Sequence, residues 1–138
     1  IDGVSIAGAM VAVQSNMEAA SATTVAVVPA VQQFHPGHPK AWGRFNGTGT
    51  PAVTIGYNFA GIIDNATGDW SVTFTTAFSA ATSEGLVASA GNQDAGDYFT
   101  TSPFGGAPTT TAWRIGVFTG GRALADVVNI NFIAVGDQ

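Results

Sequence analysis

Between Asp69 and Phe78 the chain reads DWSVTFTTAF, and its large apolar residues fall on every second position. Trp70, Val72, Phe74, Thr76 and Phe78 share one side, while Ser71, Thr73 and Thr75 share the other. Side chains alternate across a strand with period two, whereas a helix repeats every 3.6 residues. The run is therefore a strand with one buried face. Ahead of it lies DNATGD, residues 64–69, in which Asn and Gly supply turn chemistry. A hairpin from IGYNFAGII through DNATGD into DWSVTF follows.

The same period recurs elsewhere. VTIGYNF places Val53, Ile55, Tyr57 and Phe59 on one side. TAWRIGVF sets Trp113, Ile115 and Val117 opposite Arg114 and Gly116, and DVVNINFIAV sets Val128, Ile130 and Phe132 opposite Asn129 and Asn131. GLVASAG is a shorter strand around Leu86 and Val87. Trp42, Trp70 and Trp113 all alternate as core residues. Short strands cut by Gly, Pro and Asn turns predict a mainly β chain, an antiparallel β-sandwich or small barrel. The stretch NQDAGDYFTTSPFGGAPTT, residues 92–110, reads instead as one long loop. Loops of that length in a compact domain are usually functional or disordered.

The N-terminal part has another texture, rich in Ala and Val, with no aromatic residue before Phe34. QSNMEAA predicts a short helix capped by Ser15 or Asn16, with Glu18 in its first turn. TTVAVV predicts a short strand, and Pro29 ends it or opens a helical turn through AVQQF. These signals divide the chain into a short α/β stem-like, trimerising segment over 1–39 and a β-rich head over 40–138. The start at Ile1 rather than Met is expected of a piece of something longer.

Charge restricts the partners. Only 9% of the 138 residues are charged, against about a quarter in ordinary soluble domains. The hydrophobic share is 46%, yet no apolar run approaches a membrane span. Such a chain must cover itself with Thr, Ser, Asn and Gly or bury surface against other chains, which predicts an oligomer. The formal net charge is −5, and the four cations, Lys40, Arg44, Arg114 and Arg122, are scattered. Binding to nucleic acid or to an anionic membrane surface needs clustered cations to neutralise phosphates, so neither is expected. Without cysteine there is no disulfide and no thiolate metal site.

Catalytic chemistry finds little to work with. The sequence has no G-x-S-x-G, no P-loop and no H-E-x-x-H motif. Asp64 and Asp69 flank the hairpin turn and read as caps accepting its N–H groups. A non-enzymatic protein without a cofactor is expected. In HPGHP, residues 35–39, the prolines forbid the helix that would bring His35 and His38 onto one face. Two imidazoles fall short of a metal ligand set, although a three-fold axis would triple the count. The plain reading is a rigid connector that holds no metal.

The run SNMEAASATTVAVVPAVQQFHPGHPKAW, then F-N-G-T-G-T, then Y-N, then D-N-x-T-G-D-W-x-V-x-F-T-T-A-F resembles the C-terminal domains of tailed-bacteriophage and prophage tail fibres. The matching positions are Met17 to Ala19, Thr23-Thr24, Pro29, His35-Pro36, Lys40 to Trp42, Phe45 to Thr50, Tyr57-Asn58, Asp64-Asn65, Thr67 to Asp69 and Phe74 to Phe78. They span about residues 14–80 in a specific order, with Trp70 where that family usually has Tyr and Gly61 in place of a serine. The resemblance implies a virion structural protein of the phage tail, made in the bacterial cytoplasm. It would be a homotrimeric fibre tip joined to other virion tail proteins, attaching to a saccharide or protein of the host surface. The alternative is a non-adhesive virion component, a head fibre or decoration protein that cements other subunits. The resemblance supplies no binding residue. Aromatic residues on loops are the natural anchors of recognition surfaces, which makes Tyr98, Phe99 and Phe104 the receptor-binding candidates, with Asn92, Asp94 and Asp97 as polar partners.

Overall fold

A computed structural model describes residues 32, 35, 37–81, 84–91, 99–103 and 106–138, with Glu84 and 99–103 described by backbone only. The chain divides between His38 and Pro39 into two units, and the eight strands found among the described residues lie in the second. They are β1 (Ala41–Asn46), β2 (Ala52–Tyr57), β3 (Gly61–Ala66), β4 (Asp69–Thr73), β5 (Glu84–Gly91), β6 (Phe99–Pro103), β7 (Ala112–Thr119) and β8 (Asn129–Gly136). Two four-stranded antiparallel sheets form, in the orders β2-β1-β8-β5 and β3-β4-β7-β6. Among the described residues no ladder joins one sheet to the other. The fold is thus a sandwich and not a closed barrel.

Alternation builds the core between the sheets. Ala41 and Phe45 of β1 and Ile130, Phe132 and Ala134 of β8 point inward from one sheet. Trp70 and Val72 of β4 and Ile115 and Val117 of β7 meet them from the other. Phe74 and Phe78 continue the apolar period of β4 beyond its end and remain buried. Phe45 packs edge-on against Trp70, as Phe59 does against Phe132. Each such side chain contributes about 1.5–3 kcal/mol through burial.

The DNATGD hairpin forms as expected, with Ala66 opposite Asp69 and Gly68 at φ 67°. Asp69 acts differently from the expectation. The Gly68 N–H donates to Asp126 Oδ1 at 2.7 Å, while Asp69 turns to Arg114. The cap thus comes from a distant segment, a contact that local spacing cannot reveal.

Two further expectations are corrected. Residues 92–110 are not one loop, because β6 lies within them and pairs Phe99 with Thr119 through to Pro103 with Ile115. The run Phe99-Thr-Thr-Ser102 has the residue types of a strand, and Pro103 is tolerated at the end of an edge strand. Trp42 is not a core residue. It alternates with Ala41 and Gly43, which point inward, so the indole lies on the outer face. Trp70 is fully buried and Trp113 packs partly buried against the core.

Candidate interaction surface

Antiparallel register places cross-strand partners on the same face. Tyr57 pairs with Trp42, Trp42 with Ile133 and Ile133 with Val87. These four form a row across all strands of the β2-β1-β8-β5 sheet, on the face turned away from the core. Their exposures are 46% for Tyr57, 40% for Trp42, 52% for Ile133 and 76% for Val87. Ile55 and Val135, also exposed, extend the apolar area on either side.

In the next row along this face Ile55, Arg44, Asn131 and Ser89 are successive partners, so the row is polar beyond Ile55. Arg44 donates from Nε to Asn129 Oδ1 at 3.1 Å and also from Nη2 to the same oxygen. Its guanidinium therefore lies along the sheet. A shallow groove runs between β5 and β8, lined by Val87, Ser89, Asn131 and Ile133.

The outer face of the other sheet has the opposite character. Arg114 Nε donates to Asp69 Oδ1 at 2.7 Å, and Nη2 donates to Asp69 Oδ2. Asn65 Nδ2 donates to Asp69 Oδ1 at 3.3 Å and to Ser71 Oγ at 3.0 Å. Donating to Asp69 raises the Arg114 guanidinium above its ordinary value, against a smaller opposing effect of desolvation and with the carboxylate charge adding to the rise. One outer face thus carries a polar network beside the exposed Ile63, and the other an apolar row flanked by polar side chains.

Of the predicted site residues the structure describes Phe99, by its backbone. Asn92, Asp94, Asp97, Tyr98 and Phe104 fall outside the described residues. Phe99 opens strand β6 instead of standing on a loop. At His35, Nδ1 accepts the Gly37 N–H at 3.1 Å and the carbonyl accepts the His38 N–H at 2.9 Å. The imidazole is thus used locally to close the turn. Among the described residues no three His, Cys, Asp or Glu side chains gather as metal ligands, and no helix is long and apolar enough to cross a membrane.

Described positions within the tail-fibre-like motifs have structural roles. Asn46 Oδ1 accepts from Thr48 N–H and Oγ1–H at 2.9 and 2.8 Å, turning the chain after β1. Asn58, at φ 51°, accepts the Thr76 N–H at 2.6 Å and donates to the Lys40 and Thr76 carbonyls at 3.1 Å each. A Cβ on Gly47 would press on Trp70 and Ile130. Comparison with protein-family models, characterised proteins and solved structures finds no match.

Proposed function

We propose that this chain is a tip domain of a bacteriophage tail fibre, which acts as a homotrimer and attaches the virion to a saccharide or protein of the host surface. The observation that carries this reading is the ordered set of tail-fibre-like motifs over about residues 14–80. A β-sandwich scaffold with low charge and one apolar outer face suits a subunit that packs against its own copies. The receptor contacts proposed are Tyr98, Phe99 and Phe104, with Asn92, Asp94 and Asp97. The location is the phage tail, next to other virion tail proteins. Hydrolysis of the receptor is not proposed for this role; Asp69 pairs with Arg114 and Asp126 accepts from the Gly68 N–H, so neither is offered as a catalytic carboxylate.

The test is binding of the labelled chain to a panel of bacterial cells. Saturable binding that Tyr98→Ala with Phe104→Ala abolishes, with the β-sheet circular dichroism retained, supports the reading. Absence of binding at micromolar concentration to every strain overturns adhesion. The apolar row from Tyr57 to Val87 specifically favours the second reading, a cementing virion component, and that result would leave it standing.

A further inference from the structure

A sheet edge offers unpaired N–H and C=O groups, and proteins guard such edges with charges or prolines. Four strands form the edges of this sandwich: β2 and β5 in one sheet, β3 and β6 in the other. Three carry a guard residue, Asp64 in β3, Glu84 in β5 and Pro103 in β6. β2 has the sequence AVTIGY, without charge or proline. All six of its residues are exposed, and among the described residues nothing pairs with its outer side. Its bulge, where Thr54 is skipped in the pairing with β1, twists the strand without adding charge. The unguarded edge is also the edge at which the apolar row begins, with Ile55 and Tyr57. At the far end of the same face lies the apolar groove of Val87, Ser89, Asn131 and Ile133.

We infer that β2 of one copy docks on the β5–β8 groove of the next copy, seating Ile55 and Tyr57 against Val87 and Ile133. A second copy is the favoured occupant for two reasons. A chain of net charge −5 repels itself except where charge is absent, and on this face the described charged side chain is Arg44, held by Asn129. Second, the six outer-face side chains Trp42, Ile55, Tyr57, Val87, Ile133 and Val135 expose on the order of 500 Å², at the upper end of the about 300–600 Å² of the largest patch on a monomer, and this area is divided between the two contacts that each ring subunit makes. The two halves of the contact differ, so it is head-to-tail and generates a ring when the rotation closes. The contact deepens the trimer reading above, which fixes the ring at three.

The test is the sedimentation mass of the full chain and of three variants, read apart from cell binding. Ile55→Lys and Val87→Glu, both at exposed positions, each weaken self-association by about 30-fold or more, as expected of an anchor residue. The double variant recovers at least about tenfold, because each Lys now faces a Glu of the next copy. Circular dichroism of all three matches the parent. A ring of another size with this pattern supports the contact and removes the trimer. A monomeric parent at about 100 μM, about a hundredfold above a micromolar dissociation constant, overturns the inference. An unchanged mass for either single variant also overturns it. Loss with Ile55→Lys alone, unrescued by Val87→Glu, overturns it in favour of β2 pairing with β2.

Discussion

Arg114 on β7 reaches across to Asp69 on β4, with Nε 2.7 Å from Oδ1, and the two occupy very different environments. The Asp69 side chain is 2% exposed and that of Arg114 is 34% exposed. Removing the guanidinium strands a buried carboxylate, whereas removing the carboxylate leaves a cation that can turn to water. Arg114→Met is therefore expected to destabilise the fold more than Asp69→Asn, which keeps an acceptor for Asn65 and Arg114. The pH dependence has a definite sign. A guanidinium held above its ordinary value contributes stability in full below that value and loses it only as pH rises through the raised one. The Arg114 side of the pair thus adds no slope between about pH 6 and about pH 10. Urea midpoints of parent and Arg114→Met across that range check this by a constant difference.

Gly68 and Gly49 share nearly the same left-handed backbone, φ 67° and φ 64°, in different surroundings. A Cβ at Gly68 would lie 2.4 Å from Ala125 N and 2.9 Å from the Val117 carbonyl oxygen, both rigid backbone atoms. At Gly49 nothing lies within 4 Å. Gly49→Ala is expected to cost only the backbone strain, about 1 kcal/mol. Gly68→Ala adds overpacking and is expected to cost about 2–4 kcal/mol in all. Denaturant unfolding of the two variants isolates the packing part by difference.

Legibility in the sequence followed the range of the interaction. The DWSVTF strand and its turn, the alternation of TAWRIGVF and the inward Ile130 and Phe132 are all local patterns, and the fold follows them. Trp42 shows where such patterns stop: alternation gives two faces, and which one is inner depends on the partner sheet. Ile133 and Val135 escaped notice for the same reason, since they lie between the inward residues of β8. The β6 strand was hidden by flanking Gly and Pro. Asp126 capping Gly68 joins positions 58 residues apart, and no spacing rule reaches that far. The β2 edge could have been found, because AVTIGY is visibly free of charge and proline. Recognising it as an edge required the strand order.

Asn58 links the end of β2 to the segment after β4 through its side chain while holding a positive φ. The amide accepts one backbone bond and donates two. Asn58→Ala loses all three and keeps the backbone strain, for an expected cost of about 2–4 kcal/mol. Asn58→Gly loses the same bonds but relieves the strain, so it should cost about 1 kcal/mol less than the alanine variant. Thermal and urea unfolding of the pair checks the order, and alanine the milder of the two would contradict it.

Trp70 and Trp42 give the last contrast, one indole in the core and one on the outer face. Trp70 is fully buried, and its Nε1 finds no hydrogen-bond partner among the described residues. An unpaired buried donor costs about 1–3 kcal/mol, so removing it offsets part of the loss of ring volume. Trp70→Phe is therefore expected to cost less than about 2 kcal/mol, and Trp70→Ala about 3–5 kcal/mol. Trp42→Ala removes no core contact and should change the stability of the isolated subunit by less than about 1 kcal/mol. Its effect belongs to association, since aromatic residues in mid-face are the usual anchors of an interface. Unfolding in the Ile55→Lys background, where subunits are separate, measures the first quantity, and sedimentation in the parent background measures the second. A large folding defect from Trp42→Ala in separated subunits would place that indole in the core after all.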